Sequence, residues 1–243
     1  MSGHSHFHSI KHKKQLEDKK RGKIFSKISR VITIAAREGG GNPDTNSKLR
    51  LAIEQAKSFN MPKDNIERAI KRGTGEISGE KLEEFTFDAY GPGGIALIIE
   101  GITTNKNRTL SEVRQILSQV NGKLANEGSV RWLFERKGVV AVEFGQEQDK
   151  LSKDDIELMA IDAGAEDIRW RDGNVMDIYT KIEDLEKVKN NLEEKLKVES
   201  SSLEWVPKEE INVNEEDRRL CQKLFDLLDE NDDVQEIYSN LKD

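Results

Sequence analysis

The stretch EEFTFDAYGPGGIALIIEGI, residues 83–102, is where the pattern of this chain changes. Glu83–Tyr90 reads as a strand, Gly91-Pro92-Gly93-Gly94 as a tight turn, and Ile95–Ile102 as a buried strand rich in β-branched residues. The chain before it repeats at helical spacing, and much of the chain after it does not. Helices gathered at one end and mixed elements after them set an α+β class.

Working back from residue 83, the spacing predicts three helices and an arm. Residues 1–17 carry all four histidines (His4, His6, His8, His12) and a lysine cluster without an apolar period, as an extended arm does. From about Asp18 to Glu38, Ile24, Phe25, Ile28, Val31, Ile32 and Ala35 form one apolar stripe. Lys20, Lys23, Lys27 and Arg30 recur at helical spacing along another side, so one face packs and another is positive. The run Gly39-Gly40-Gly41-Asn42-Pro43 ends that helix. A second spans about Ser47–Phe59, and a third opens after Pro62 and stops at Gly73.

Working forward, Thr109-Leu110-Ser111-Glu112 has capping-box spacing and predicts a helix to about Gln119, followed by a strand over Ser129–Phe134. A second set then begins: strand Gly138–Phe144, helix Asp154–Ala163, strands Glu166–Trp170 and Val175–Lys181, helix Glu183–Lys195, strand Val198–Trp205. That βαββαβ order is ferredoxin-like. A helix from about Glu215 to Leu228 and a short strand near Val234–Tyr238 remain, an αβ tail expected to return and complete the first α/β unit.

Composition narrows the function. In 243 residues, 35% are apolar and 35% charged, a strongly solvated balance with mean hydropathy -0.72. The longest apolar runs, Ile95–Ile99 and Val139–Val142, are too short to cross a bilayer, and no apolar secretory core follows the N-terminus. The single cysteine, Cys221, fits a reducing compartment, so a cytoplasmic protein is expected. The net charge of -7 conceals a segregation. Residues 1–73 hold 17 Lys and Arg against 7 Asp and Glu, whereas the rest hold 22 against 39. A basic segment joined to an acidic remainder is what a polyanion-binding module produces.

That charge marks the candidate nucleic-acid-binding residues. They are Lys11, His12, Lys13 and Lys14 of the arm, Lys19, Lys20, Arg21, Lys23, Lys27 and Arg30 of the first helix, and Lys106 and Arg108. Cations on phosphates release counterions and give sequence-independent affinity. Lys106 and Arg108 precede the Thr109 cap, where free amide groups can meet an anion. The ordinary alternatives are a solvated helix face and simple capping.

Other signals point away from chemistry. The histidines lack finger-spaced cysteines, so no metal is expected and no cofactor is indicated. Gly39–Gly41 lacks the Gly-Lys-Ser/Thr ending of a phosphate loop, and Gly91–Gly94 suits a turn. Cys221 lies among Leu220, Leu224, Phe225 and Leu228, as a packed residue would. With no convergent set of reactive groups, the chain is expected not to be an enzyme and to have no small-molecule substrate.

The segments GHSHFHSIKHKK and KKRGKIFSKISR resemble the opening of the YebC/PmpR family, whose eukaryotic relatives are mitochondrial translational activators. GGGNPDTNSKLRLAIEQAKSFNMPKDNIERAIKRGTG, FDAYGPGGIALIIEG, TNKNRTLSEVR and GSVRWLFERKG extend the likeness over essentially the whole chain. His6-Phe7 stands where the family usually has Lys-Trp, and Thr104 where an Asp is common. The resemblance implies three domains: 1–75, with the arm and helices; 76–137 with 207–243, a discontinuous α/β domain; and 138–206, ferredoxin-like and inserted into it. It implies a DNA-binding transcriptional regulator, or a translation factor that meets ribosomal RNA and the ribosome, and phosphate charge alone separates neither from the other.

Overall fold

The structure is a computed structural model that describes residues 18–144, 152–171 and 175–242, with side chains from Arg21 onward. It divides into two compact units, residues 1–135 with 207–243 and residues 136–206. Among the described residues no helix is long and apolar enough to cross a membrane.

The first unit opens with three helices, α1 (Asp18–Gly39), α2 (Ser47–Ser58) and α3 (Lys63–Gly73). The apolar stripe of α1 is buried at Ile24, Ile28, Ile32 and Ala35, against Leu49, Ala52 and Ala56 of α2 and Ile66 and Ala69 of α3. Asn46 fastens the first corner. Its side-chain oxygen accepts from the Leu49 amide at 3.1 Å, capping α2, while its amide nitrogen donates to the Ala35 and Gly40 carbonyls at 2.8 Å each. At Gly73 the end of α3 comes so near α1 that any Cβ would collide with the Thr33 carbonyl.

A four-stranded antiparallel sheet comes next in this unit. Its strands are β1 (Glu83–Tyr90), β2 (Ala96–Thr103), β3 (Lys123–Leu124) and β8 (Val234–Ser239). They lie in the order β3-β1-β2-β8. Alternation along β1 and β2 sends Phe85, Phe87, Ala89, Leu97 and Ile99 to one core. There they meet α4 (Lys106–Ser118) through Val113 and Leu117, and α7 (Glu215–Asp229) through Cys221, Leu224 and Leu228. The C-terminal tail thus completes the first sheet.

The second unit carries β4 (Phe134–Glu143, its first two residues in the first unit), α5 (Lys153–Ala163), β5 (Asp167–Arg171), β6 (Val175–Thr180), α6 (Leu185–Glu193) and β7 (Val198–Pro207, its last residue in the first unit). The strand order β5-β6-β4-β7 is that of a ferredoxin-like unit. A Cβ on Gly138 would run into Leu185 of α6, so the face shared by Val140, Val142, Met176 and Ile178 is the one the helices cover.

Two local expectations are corrected. The helix after β2 starts at Lys106, three residues ahead of the Thr109 reading, because the Asn105 side chain caps it by accepting from the Arg108 amide at 3.1 Å. Thr109 is instead buried and hydrogen-bonded elsewhere. The strand expected over Ser129–Phe134 is a turn with a short 3-10 segment at Arg131–Leu133, and β4 begins only at Phe134. Buried Asp88 holds that turn, accepting from the Val130 amide at 3.2 Å and from Arg131 Nε at 3.0 Å.

Candidate nucleic-acid interface

Helical spacing puts Lys23, Lys27 and Arg30 on one side of α1, as the sequence predicts. That side faces the protein. Lys27, only 2% exposed, donates to the Asp229 carbonyl at 2.9 Å and to its carboxylate at 3.2 Å. Lys23 donates to the Glu230 carbonyl and lies 3.7 Å from the Asp232 carboxylate. These carbonyls end α7, where unpaired acceptors and the negative pole of the helix favour a cation. Burial pushes the Lys27 ammonium below its ordinary pKa, against the attraction of Asp229.

Arg30 extends the same contact. Its Nη1 donates to the carbonyls of Ile102 and Asp232, both at 3.0 Å, and to Asp233 Oδ1 at 2.6 Å. Arg108 reaches the other oxygen of that carboxylate at 2.7 Å, with Glu112 3.7 Å from its Nε. Thr103 and Thr109 hydroxyls donate to Asp233 Oδ2 at 2.9 and 2.7 Å. Burial alone would raise the Asp233 pKa, but hydrogen bonds from Thr109, Arg108, Arg30 and Thr103 outweigh it and hold the group at about 2. The Asp233 hydrogen bond, in turn, pushes the Arg108 pKa up.

The expected outward cationic stripe is therefore corrected at Lys23, Lys27 and Arg30, whose side chains turn toward the acidic turn, and Arg108 is paired with Asp233 as well. These four side chains tie α1 and α4 to the acidic turn Asp229–Asp233, which closes Lys27 to a phosphate and leaves Lys23, Arg30 and Arg108 partly exposed. Lys106 differs, being exposed with no side-chain ion pair among the described residues. Arg21 is exposed as well. Lys19 and Lys20 fall in the first turn of α1, and Lys11, His12, Lys13 and Lys14 lie outside the described residues, as do the four histidines.

A different basic surface lies beside this contact and shares Arg30 with it. A groove of about 630 Å³ runs between α1 and α3, with Ser26, Ser29 and Thr33 on one wall and Asn65, Arg68 and Arg72 on the other. Arg68 and Arg72 are exposed and make no hydrogen bond or ion pair with any described residue. They stand one helical turn apart on α3. The helical period of α3, with Lys63, Arg68, Lys71 and Arg72 among its 11 residues, is the sequence signal that points to them.

Cys221 is buried, its thiol 3.7 Å from the Pro92 carbonyl, and burial pushes its pKa up to about 11. Such a thiol is protonated at neutral pH and is a poor nucleophile. Among the described residues no group of His, Cys, Asp and Glu is placed to hold a metal ion.

Comparison with known proteins gives a consistent match. Residues 5–76 match the family described as the TACO1/YebC protein N-terminal domain, and residues 82–241 match the TACO1/YebC second and third domain. A relative from Halothermothrix orenii is 49% identical over 242 residues, spanning 99% of this chain and 94% of its own. One from Caldanaerobacter subterraneus is 46% identical over 243 residues, spanning 100% and 98%. Both are named probable transcriptional regulatory proteins. The crystal structure of a conserved hypothetical protein from Aquifex aeolicus superposes with a TM-score of 0.86 at 44% identity, covering 96% of this chain and 95% of that one.

Proposed function

Because the chain belongs to the TACO1/YebC family, we propose that it is a non-enzymatic regulator of gene expression that works by binding nucleic acid through its N-terminal helical module. The names of its relatives favour transcription and hence DNA. The observation that carries the binding itself is charge segregation. Even with Lys23, Lys27 and Arg30 held by the acidic turn, Lys57, Lys63, Arg68, Lys71 and Arg72 remain exposed on the helical module. The acidic remainder of the chain repels a polyanion and leaves that module as the face it can approach.

A second reading, a translation factor on ribosomal RNA, is favoured by one feature. The two arginines, which have no hydrogen-bond or ion-pair partner among the described residues, line a concave groove, whereas helix-turn-helix readers of duplex DNA insert a protruding helix into the major groove.

Both readings meet in one experiment. The full chain is assayed for retention of duplex DNA and of structured RNA, and for co-sedimentation with ribosomes, at about 150 mM salt, where screening over roughly 8 Å suppresses incidental attraction. Retention of nucleic acid, with affinity falling as salt rises, is the expected result. Duplex DNA bound without ribosomes supports transcription, and ribosome association without duplex binding supports translation. No retention of either nucleic acid and no co-sedimentation would discard the proposal.

A further inference from the structure

From the groove between α1 and α3 we infer a binding site for a single-stranded nucleic-acid segment, gripped at its phosphodiester backbone by Arg68 and Arg72. The inference rests on the nucleic-acid reading above and deepens it by naming the site and the strandedness of its ligand.

Size bears on the ligand first. About 630 Å³ lies within the roughly 300–1,000 Å³ of small-ligand pockets and admits a short stretch of one strand. A duplex is too wide to enter, and could only lie across the rim.

The walls narrow it further. On α3, Asn65, Arg68 and Arg72 succeed one another at +3 and +4, so both guanidiniums and an amide line the same side. A guanidinium fork matches a phosphate in two hydrogen bonds, and these two carry no competing carboxylate among the described residues. The stem of Arg72 lies along Gly79, where a Cβ would touch it at 3.6 Å, so the chain from Ser78 to Leu82 forms an end wall of the groove. On α1, Ser26 and Ser29 supply hydroxyls able to meet sugar or base edges, and half-buried Phe25 supplies an apolar ring beside them. Stacking and edge contacts of this kind need bases that are not already paired.

Charge is consistent with this assignment. Glu80 is the one carboxylate among the lining residues, against three arginines, of which Arg30 is already held by Asp233. The groove therefore keeps a positive excess after its internal pairing is satisfied.

The test uses the full chain and fluorescence polarisation of a labelled ten-nucleotide RNA of mixed sequence, a DNA strand of the same length and a duplex DNA. Three variants are compared with the parent: Arg68→Gln with Arg72→Gln; Ser26→Trp, which fills the groove without altering charge; and Lys181→Gln with Lys187→Gln, which removes equal charge outside the helical module. None of these side chains is buried, and circular dichroism with thermal melting checks that each variant folds. The parent is expected to bind single strands more tightly than duplex. The arginine pair and Ser26→Trp should each weaken single-strand binding at least tenfold, and the lysine pair less than threefold. Loss of two phosphate contacts should also lower the salt slope by about 1.4.

A parent that binds nucleic acid equally well with the arginines replaced or the groove filled overturns the groove while leaving the functional reading intact. Tighter binding of duplex than of single strand does the same. A parent that binds no nucleic acid overturns both. Equal affinity for a poly-glutamate of matched charge would show an unspecific anion surface and also overturn the site.

Discussion

Asp233 is the residue on which the first unit turns. Two arginines and two threonines from three different elements converge on one carboxylate that is 4% exposed. Its carbonyl also receives the Ile102 amide at 2.8 Å, and a Cβ on Gly101 would collide with that carbonyl, so the bulged strand needs glycine there. A carboxylate whose pKa falls from an ordinary value near 4 to about 2 binds its proton more weakly when folded than unfolded. Its stabilisation is therefore complete above about pH 4 and is lost as pH falls toward 2. With allowance for solvent screening on the Arg108 side, the contribution is about 1–2 kcal/mol. Asp233→Asn leaves Arg30 without its counter-ion and Arg108 with Glu112 alone, and should cost about 2–4 kcal/mol at pH 7 in urea denaturation. The variant should also flatten the stability loss between pH 4 and 2. An unchanged acid limb in the variant would show that other carboxylates control it.

At the scale of elements, α1 shows what a sequence can and cannot disclose. Its apolar stripe was legible because burial imposes a period that any packed helix must show, and Ile24, Ile28 and Ile32 are buried as that period requires. The partner of its basic stripe was not legible, since Lys27 and Asp229 are separated by 202 positions and no local pattern links them. The start of α4 is hidden from local pattern for a similar reason. Asn105 and Thr109 both have cap chemistry, and the choice is decided by Asp233, which draws Thr109 into the core. Arg68 and Arg72 were within reach of helical periodicity, yet sequence cannot say which cations find protein partners. If the α1 stripe serves to dock α1 against α7, Lys27→Met should alter stability by no more than about 1.5 kcal/mol, because buried pairs often exchange for apolar groups at little net cost. Lys27→Glu should cost about 3–5 kcal/mol by setting a buried carboxylate against Asp229. Nucleic-acid affinity of Lys27→Met should stay within about threefold of the parent, since a cation occupied by Asp229 contributes no phosphate contact. A tenfold or larger loss in a stably folded Lys27→Met protein would restore the stripe as an interface.

At the scale of the whole molecule, the chain leaves the first unit after Glu135 and re-enters it at Pro207. The two crossings are held side by side, because the Lys208 amide donates to the Leu133 carbonyl at 2.9 Å and the Lys208 ammonium donates to the Trp132 carbonyl at 3.0 Å. An insertion whose ends already meet imposes little closure entropy on its host, and a short linker in its place imposes about as little. The first unit also owns its core, with β1, β2 and β8 packed against α4 and α7 through residues that all lie outside 136–206. Replacing residues 136–206 by about four Gly and Ser residues should therefore leave a soluble protein that unfolds cooperatively, with a melting temperature within about 8 °C of the parent, the shift that roughly 2 kcal/mol produces in a domain of this size. The same protein keeps α1, α3 and every residue lining their groove, so its affinity for a single strand should stay within threefold of the full chain's. A truncated protein that melts without cooperativity would show that the first unit depends on the second for its fold. One that folds but loses single-strand affinity would move the interface out of the helical module and into the ferredoxin-like unit.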